Sequence, residues 1–588
     1  MSQTTDEILD AARDHHLAGR FSEAADLYRK ILELAPEDGE AFFLLGLALF
    51  QLGHVAEAAD KVRRAVSLDP AVAEYHCDLA RILFTLNDFP GAIAASRKAL
   101  ELQPNFPEAL FNLGNALCRT RLFEDGIDAY QHALIQRPDA RDAANNLGMA
   151  LLELGRIDGA IACFDQILAS NPSDAAARSN RIYAMHFNPS STAAKIREEL
   201  VDWNQQHARP LNATIIPHIR RPKLDSHPLR IGYVSPDFRE HVVGWNLLPL
   251  LAEHDRKRFH IICYSSAGRA DAITRELQSH VAAWRDISAL SDQQAAKIIR
   301  EDQIDILVDL SLHTGGNRLL LFARKPAPIQ LTYLAYPGST GLEAMDYRFS
   351  DPFLDFGQDL SDHTERTIRL PRTYWCYRPG GPTPAVVPPP ALSAGIITFG
   401  SLNAFQKISG PTLDVWRQLM QSVPRSRLLL HAPVGKHRGQ LIQGFETSGI
   451  ADDRIEFVDR LPWSQYIQTY QRIDIALDPF PYGGGITTCD ALSMGVPIIT
   501  LRGKTTVGRG GSSILQNLNL PEFIAESPQQ YISAATALAN DLALLSKLRS
   551  CLRERMLDSP LTDAVQFARD IEAAFVKMWD QWTNSTAV

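Results

Sequence analysis

The pattern of apolar and polar positions divides the chain into two parts. Over residues 1–172 the same pattern returns every 34 residues, whereas from Arg230 onward short apolar runs alternate with amphipathic segments. The first pattern is typical of a helical repeat array, and the second is typical of parallel sheets wound with helices. The sequence therefore predicts an all-α part followed by an α/β part.

The first part carries a repeat marked by prolines, small residues and turn residues. Small residues let helices pack closely, a turn separates the two helices of a unit, and a proline stops the second helix. The pattern resembles that of tetratricopeptide repeats, about five of them, and such units stack into a superhelix with a concave groove. The landmarks are Pro36, Pro70, Pro104, Pro138 and Pro172, with turn residues Gly19, Gly53, Asn87, Arg121 and Gly155.

Two asparagines of the repeat array are candidates for binding a substrate peptide. Asn112 and Asn146 occupy equivalent positions in the first helices of their repeats and are expected to face the groove. An amide both donates and accepts, so such side chains would bind an extended protein substrate with little regard to its sequence. Solvated polar residues without a binding role would give the same pattern. Residues 173–226, where the period is lost, are predicted to form capping and linking helices.

The second part is predicted to fold as two doubly wound, Rossmann-like α/β lobes, at residues 227–385 and 386–588. A proline-rich break, Pro379 to Pro390, lies between their strands. In such sheets ligands bind beyond the carboxyl ends of the strands, so chemistry is expected in the loops there. The predicted strands are 230–234, 259–264, 304–310, 329–333, 396–402, 427–432, 454–458, 473–477 and 497–501.

Composition restricts the classes of binding partner and the cellular compartment that we expect for this protein. The net charge of -9 argues against a broad electrostatic grip on nucleic acid, which needs clustered Lys and Arg. The amino-terminal segment is polar and acidic, and no apolar run reaches the length of a membrane span, so we expect a cytoplasmic protein without a membrane partner. Seven scattered cysteines without a CxxC spacing indicate reduced thiols, and the sequence contains no metal-ligand motif.

A glycine-rich loop follows the predicted strand 473–477. It reads DPFPYGGGITTCDALSMGVP, and its turn opens a helix near Thr487. Backbone N–H groups and the positive end of the helix dipole suit such a start to a pyrophosphate, to which the hydroxyls of Thr487 and Thr488 would add donors. Asp490, one turn into the helix, is suited to accept from ribose hydroxyls. An ordinary capping box formed by Thr487 and Asp490 would explain the same residues.

Two other loops carry candidate catalytic side chains. Lys407 follows strand 396–402, and if its loop and the glycine-rich loop line one cleft, its charge would stabilise a diphosphate leaving group. His241 follows strand 230–234 in the other lobe and is a candidate for contacting the acceptor hydroxyl or the sugar. A solvated lysine and a structural histidine are the alternatives.

Several separated motifs, taken in order, resemble the catalytic region of the SPINDLY and O-GlcNAc transferase family. They are RIGYVSPDFREH, LVDLSLHTGGNRLLLFARKPAPIQLTYLAYPGSTG, LNAFQK, DPFPYGGGITTCDALSMGVPIITL and GRGGSSIL. That family also carries amino-terminal tetratricopeptide repeats, so the likeness spans nearly the whole chain. The resemblance implies a GT-B fold and an inverting, metal-independent enzyme without a cofactor. Such an enzyme would transfer N-acetylglucosamine from UDP-GlcNAc to Ser or Thr of proteins.

The resemblance also implies roles for individual residues. Lys407 matches the lysine that contacts the donor diphosphate, and Thr487 and Thr488 match the phosphate-binding helix start. Asp490 matches the ribose-binding carboxylate, and His241 matches the histidine at the sugar and acceptor end, whose role as general base is open. The remaining matches to the donor site are Leu461, Tyr466 and Arg509.

The loops depart from the O-GlcNAc transferase pattern at two positions. GGGITT lacks the histidine of the GHTT sequence found in many O-GlcNAc transferases, and Ala404 stands where some carry a glutamine that contacts the diphosphate. The loop is closer to the SPINDLY branch, which includes protein O-fucosyltransferases that use GDP-fucose. Fucosyl transfer, N-glucosyl transfer, and a binding scaffold whose catalytic lobes no longer turn over are therefore the alternatives.

Overall fold

The computed structural model describes residues 4–218, 228–357 and 362–584, and the chain falls into two compact units. The first unit runs to Leu154 and includes residues 162–167 and 433–436. The second unit contains the rest of the chain and holds both sheets. Residues 219–227, which include the end of the predicted linker and the first residue of the predicted first lobe, lie outside the described residues.

The amino-terminal part is a series of helix pairs. The second helix of each pair ends two residues before the proline of its repeat, because the residue before a proline disfavours helical geometry. The predicted tetratricopeptide array is thereby confirmed. Its helices are α1 (Thr5–Leu17), α2 (Phe21–Leu34), α3 (Gly39–Gln51), α4 (Val55–Leu68), α5 (Ala73–Thr85), α6 (Phe89–Leu102), α7 (Pro107–Arg119), α8 (Phe123–Gln136), α9 (Arg141–Glu153) and α10 (Ile157–Ser170).

The turn within each repeat places one residue in the left-handed region of backbone conformation. Gly19, Gly53 and Gly155 have φ values of 74°, 82° and 69°. The equivalent residues Asn87 and Arg121 have φ values of 62° and 66°. Glycine and asparagine reach this region at low cost, whereas arginine does not. The turn geometry is therefore kept even where the side chain disfavours it, as the shared period predicts.

Two further helices, α11 (Ala175–Met185) and α12 (Ala193–Trp203), follow the repeats. Trp203 is 1% exposed, and its indole N–H donates to the carbonyl oxygen of Ala175 at 3.1 Å, which fixes α12 against α11. Both helices share a hydrophobic cluster with Val234 and Ile262 of the first sheet. They are therefore packed onto the sheet and do not extend from it as a free linker.

The first sheet contains seven parallel strands, wound with helices. The strands are β1 (Leu229–Ser235), β2 (Phe259–Ser265), β3 (Ala283–Asp286), β4 (Ile306–Asp309), β5 (Ile329–Thr332), β6 (Tyr347–Ser350) and β7 (Arg366–Arg369). Their order is β3-β2-β1-β4-β5-β6-β7, so the direction of winding reverses between β1 and β4. The helices are α13 (Val242–Glu253), α14 (Ala272–Ser279), α15 (Asp292–Glu301) and α16 (Leu319–Phe322).

The second sheet contains six parallel strands. The strands are β8 (Ile397–Ser401), β9 (Ser426–His431), β10 (Ile455–Val458), β11 (Ile475–Leu477), β12 (Ile498–Leu501) and β13 (Ile524–Ala525). Their order is β10-β9-β8-β11-β12-β13, so the winding reverses between β8 and β11. Ligands of such sheets bind at the reversal, and the loops that follow β8 and β11 carry Lys407 and the glycine-rich motif.

The second sheet is wound with helices α17 (Ala391–Ala394), α18 (Gly410–Ser422), α19 (Lys436–Glu446), α20 (Trp463–Thr469), α21 (Ile486–Ser493), α22 (Gly510–Asn517), α23 (Pro528–Asn540) and α24 (Leu542–Leu557). The last described helix, α25 (Ala564–Asn584), returns to the first lobe and packs against α13 and β5. The predicted fold class, a repeat superhelix followed by two Rossmann-like lobes, is confirmed. Within the described ranges, no helix combines the length and the apolar character needed to cross a membrane.

Gly114 tests the packing of the repeats. A Cβ atom at this position would lie 2.6 Å from the ring of Tyr130 on α8, so Gly114→Val should overpack the contact between α7 and α8. We expect the substitution to destabilise the repeat unit by about 1–3 kcal/mol, measured as a lower midpoint of thermal unfolding by circular dichroism. Ala94→Val, on the exposed face of α6, is the matched control. Equal midpoints for the two variants would contradict the packing.

Candidate active site

The loops after β8 and β11 meet at the reversal of the second sheet. The Nζ of Lys407 donates a hydrogen bond to the carbonyl oxygen of Gly483 at 3.0 Å, although 76 residues separate the two. The same ammonium lies 4.4 Å from the centroid of the Tyr482 ring, within the range of a cation–π interaction. The structure therefore brings the predicted lysine to the glycine-rich turn.

The buried surroundings of Lys407 strengthen the attraction between its ammonium and an anion. Burial lowers the pKa of the ammonium to about 8, while the carboxylate of Asp478 acts in the opposite direction. With this pKa most molecules carry a protonated lysine at neutral pH. A desolvated ammonium attracts an anion more strongly than a solvated one, because the effective dielectric constant around it is lower.

Asp478 shapes the glycine-rich turn, although it is not among the site residues that the sequence predicts. Its buried carboxylate accepts from the backbone N–H of Gly484 at 2.5 Å and from the hydroxyl of Thr500 at 2.6 Å. Burial raises its pKa to about 6, whereas these hydrogen bonds and the charge of Lys407 lower it. Its place as the first residue after a buried strand is the signal that could have revealed it.

Helix α21 begins at Ile486, and the residue before it, Gly485, provides no side-chain cap. The hydroxyl of Thr487 donates to Oδ1 of Asn403, from the loop after β8, at 2.7 Å. The hydroxyl of Thr488 is buried and has no hydrogen-bond partner among the described residues. The capping-box interpretation of Thr487 and Asp490 is therefore wrong. An unpaired buried hydroxyl at a helix start fits a site for a phosphate oxygen.

Asp490 is buried, at 3% exposed, and its carboxylate is held by tyrosines. The hydroxyl of Tyr466 donates to Oδ2 at 2.8 Å, and the hydroxyl of Tyr377 donates to Oδ1 at 2.7 Å. The hydroxyl of Tyr470 lies 3.1 Å from that of Tyr466 and donates to the carbonyl oxygen of Thr487. The structure thus joins two predicted residues, Tyr466 and Asp490, and adds Tyr377 and Tyr470, which no motif in the sequence indicated.

Arg509 contacts protein groups of the first lobe. Its guanidinium donates to the carbonyl oxygen of Leu354 and, at 3.2 Å, to the carboxylate of Asp355. It also donates to the carbonyl oxygen of Lys504 at 2.9 Å. These bonds tie the loop after β12 to the loop after β6. A donor-binding role for Arg509 stays a prediction, and its observed contacts hold the two lobes together.

His241 precedes α13 and is held by its own loop. Its Nδ1 accepts from the backbone N–H of Val243 at 3.3 Å and lies 3.6 Å from the carboxylate of Asp237. Burial lowers the pKa of the imidazole, Asp237 raises it, and Arg239 and Arg460 lower it further. Because Nδ1 accepts a hydrogen bond, the proton of the neutral ring resides on Nε2.

The segment around Leu461 lies close to α13, the helix that begins directly after His241. Leu461 is half-buried and precedes α20, while its neighbour Arg460 acts on the pKa of His241. Trp463 of α20 makes an edge contact with Trp245 of α13, with ring centroids 6.1 Å apart. The segment that contains Leu461, a predicted donor-site residue, therefore lies near the loop that contains His241.

The two asparagines of the repeat array use their amide N–H groups within the array. Asn112 donates to the carbonyl oxygen of Cys77 at 3.1 Å, and Asn146 donates to Oδ1 of Asn115 at 2.9 Å. Both side chains are half-buried. These bonds connect neighbouring repeats, so packing explains the two residues at least in part. Their binding of a peptide stays a prediction.

The described residues offer no cluster of side chains suited to a metal ion. Across residues 4–218, 228–357 and 362–584, no group of three or more His, Cys, Asp or Glu side chains is arranged to hold a metal ion. The charged groups at the glycine-rich turn are the ammonium of Lys407, which donates to Gly483, and the carboxylate of Asp478, which accepts from Gly484.

Comparison with known sequences agrees with this architecture. The sequence model of Glycosyl transferase family 41 matches residues 209–377 and 390–571. A tetratricopeptide repeat model matches residues 9–73, 77–141, 119–175 and 145–186. The two families therefore account for the α/β part and for the helical part of the chain, respectively.

Two curated relatives are similar to this chain over much of its length. The chain is 36% identical over 419 residues to "Probable UDP-N-acetylglucosamine--peptide N-acetylglucosaminyltransferase SPINDLY" of Solanum lycopersicum, which covers 69% of this chain and 44% of that protein. It is 30% identical over 364 residues to the corresponding SEC protein of Arabidopsis thaliana, covering 60% of this chain and 37% of that one. The chain thus spans less than half the length of these curated relatives.

A solved structure resembles the whole chain. It is a mutant of the Thermobaculum terrenum O-GlcNAc transferase, with 32% sequence identity, a TM-score of 0.66 and complete coverage of both chains. The family model covers more than half of the present sequence, and its two matched segments contain Lys407, Asp478, Thr488 and Asp490. The chain belongs to glycosyl transferase family 41.

Proposed function

We propose that the chain is an inverting protein O-glycosyltransferase that transfers N-acetylglucosamine from UDP-GlcNAc to Ser or Thr side chains. The observation that carries the proposal is the hydrogen bond from Lys407 to Gly483, because it sets an ammonium beside the turn that opens α21. A cation and a helix start directed at one place suit a ligand with two phosphates. Membership of a glycosyl transferase family supplies the class of reaction.

In the proposed reaction the acceptor oxygen attacks the anomeric carbon of the sugar. The bond from that carbon to the diphosphate oxygen breaks, and UDP leaves with the electron pair. Negative charge therefore grows on the diphosphate, where Lys407, the hydroxyl of Thr488 and the start of α21 would stabilise it. Asp478 holds the glycine-rich turn, Asn403 holds the start of α21, and Gly483 holds Lys407, so little reorganisation is needed as the charge develops.

The hydrogen bonding of His241 favours a role as a hydrogen-bond donor at the sugar and acceptor end over a role as general base. With the ring proton on Nε2, the imidazole donates a hydrogen bond from its free nitrogen and does not accept a proton there. We therefore propose that His241 donates to the sugar or to the acceptor oxygen, and we assign the general base to no residue. The contacts of Trp245 with Trp463 would keep this end of the site near the donor.

The names of the relatives support UDP-GlcNAc as the donor. The tomato and Arabidopsis proteins are named for UDP-N-acetylglucosamine, and the Thermobaculum protein is an O-GlcNAc transferase. These names favour N-acetylglucosamine over fucose. Leu461, Tyr466 and Asp490 would bind the base and ribose of the nucleotide, and the charge of Lys407 would take the part that a metal ion plays in other transferases.

Protein acceptors and a cytoplasmic location complete the proposal. Tetratricopeptide arrays present concave surfaces suited to extended peptides, which supports protein substrates along residues 1–172. All seven cysteines are free thiols, which supports a reducing compartment.

Donor identity and metal independence are tested together. The purified protein is incubated with UDP-GlcNAc, UDP-glucose or GDP-fucose, with and without EDTA, and transfer to protein and nucleotide release are measured. We expect turnover with UDP-GlcNAc that EDTA leaves unchanged. Turnover with GDP-fucose alone would replace the proposed donor, loss with EDTA would contradict the metal-free site, and no response to any donor would indicate a binding scaffold.

The charge of Lys407 gives the reaction a pH dependence on the alkaline side. We expect kcat/KM to fall as the pH rises above about 8, because the free enzyme then loses the ammonium that faces the leaving group. Lys407→Ala should lower kcat/KM by about a hundredfold or more at neutral pH. Lys407→Arg should remove the alkaline fall, because a guanidinium stays protonated.

Lys297→Ala is the control for these variants, since that lysine is 78% exposed on α15 and pairs with Glu301 on its own helix. It should retain the activity and the pH profile of the parent protein. Retained turnover in Lys407→Ala would refute the role of this lysine. An alkaline fall that persists in Lys407→Arg would assign the titration to another group.

A further inference from the structure

Tyr377 occupies a position between the two sheets. It lies in the segment after β7 and before α17, where the chain passes from the first sheet to the second. Its side chain is 5% exposed, and its backbone N–H donates to the carbonyl oxygen of Leu561 at 2.7 Å. The backbone of Tyr377 is therefore held by the segment before α25, while its hydroxyl contacts a different helix, α21.

The hydroxyl of Tyr377 contacts the carboxylate of Asp490. It donates to Oδ1 at 2.7 Å and has a second, longer contact of 3.4 Å with the hydroxyl of Ser493. The hydroxyl of Ser493 in turn donates to the carbonyl oxygen of Asp490, one helical turn earlier. With Tyr466 on Oδ2, each carboxylate oxygen accepts one phenolic hydrogen bond. The orientation of the carboxylate is thus set from two sides.

This arrangement leaves the carboxylate able to bind a further ligand. A carboxylate oxygen can accept two hydrogen bonds, so each oxygen of Asp490 keeps one acceptor site for a ribose hydroxyl. Burial raises the pKa of both tyrosines well above the usual value, so both remain neutral donors at every pH of interest. They can therefore orient the acid without competing with it for a proton.

We propose that Tyr377 is a positioning residue of the donor site, which holds Asp490 ionised and oriented so that it accepts hydrogen bonds from the ribose. This inference rests on the proposed function, because it takes the nucleotide to be bound at α21. It makes the passage between the two lobes part of the nucleotide site. It also implies that nucleotide affinity depends on the ionisation of one buried carboxylate.

The groups around Asp490 support this dependence on ionisation. Burial raises the pKa of Asp490 to about 7, and the hydrogen bonds from Tyr377 and Tyr466 lower it. The other titratable groups that interact with the carboxylate are Tyr470 and Cys489, whose own pKa values burial raises far above neutrality. On the side of α24, Tyr377 raises the pKa of Arg553, which burial lowers. The carboxylate therefore depends on neutral hydroxyls to stabilise its charge.

The test is the affinity for UDP, measured by isothermal titration calorimetry from about pH 6 to about pH 9. In the parent protein the affinity should fall as the pH falls through about 7, because Asp490 becomes protonated. Tyr377→Phe removes one donor to the carboxylate, so it should weaken binding about tenfold near neutral pH and move the fall to higher pH. The loss should shrink at the alkaline end, where Asp490 is charged in both proteins.

Tyr264→Phe is the matched control, because this tyrosine also donates to a carboxylate, Asp302, at 2.8 Å, but at the other side of the first sheet. It should bind UDP with the pH profile of the parent protein. Asp490→Asn provides a second measurement that does not depend on the folding of the Tyr377 variant. It should remove the fall at about pH 7 and leave only the fall at about pH 6 that protonation of the UDP phosphate itself causes. Adding Tyr377→Phe to it should cause no further loss.

The outcomes separate the two proposals. A parent protein that binds UDP and transfers sugar, together with a Tyr377→Phe variant whose loss is absent or equal at every pH, would overturn the role of Tyr377 alone. A fall at about pH 7 that persists in Asp490→Asn would do the same. A parent protein that binds no UDP at any pH would overturn the proposed function and this inference with it.

Discussion

The hydrogen bond from the ammonium of Lys407 to the carbonyl oxygen of Gly483 connects the two loops on which the active site depends. An ammonium withdrawn from water is costly unless an opposite charge or an acceptor compensates it. Gly483, the face of Tyr482 and the carboxylate of Asp478 provide that compensation. The buried ammonium therefore has compensating partners within the protein itself.

The topology of the second sheet explains how these groups come together. β8 and β11 are neighbours in the sheet but distant in sequence, and the winding reverses between them. Both strands end at the same edge, so their following loops must lie side by side. Asp478 then accepts a hydrogen bond from the backbone of Gly484 in the glycine-rich turn. Asn403, in the loop after β8, accepts one from Thr487 at the start of α21. The chemistry of the site thus follows from the order of the strands.

Much of the fold was predictable because its signals are local. The 34-residue period fixes helix ends and turns, and long apolar runs mark the buried strands. Four strands were missed for physical reasons. β3 and β7 are partly exposed edge strands, and β13 has only two residues. β6 contains Arg348, whose burial is made possible by its ion pair with Asp355 at 2.5 Å.

The candidate site was predictable only where a residue lies within a motif. Lys407, Thr488 and Asp490 stand in loops that are recognisable from sequence, whereas Tyr377 is 113 residues from the carboxylate that it contacts. Nothing in a single sequence records such a contact, because it depends on how two lobes fold against each other. The tyrosines around Asp490 and the bonds that tie Arg509 to Asp355 became visible only in three dimensions.

Whether Lys407 and the amino end of α21 bind one diphosphate can be seen in a crystal structure of the complex with UDP. We expect Nζ of Lys407 and the first-turn groups of α21, including the hydroxyl of Thr488, to lie within about 3 Å of oxygens of the same diphosphate. A diphosphate bound elsewhere, with Lys407 still directed only at Gly483, would contradict it.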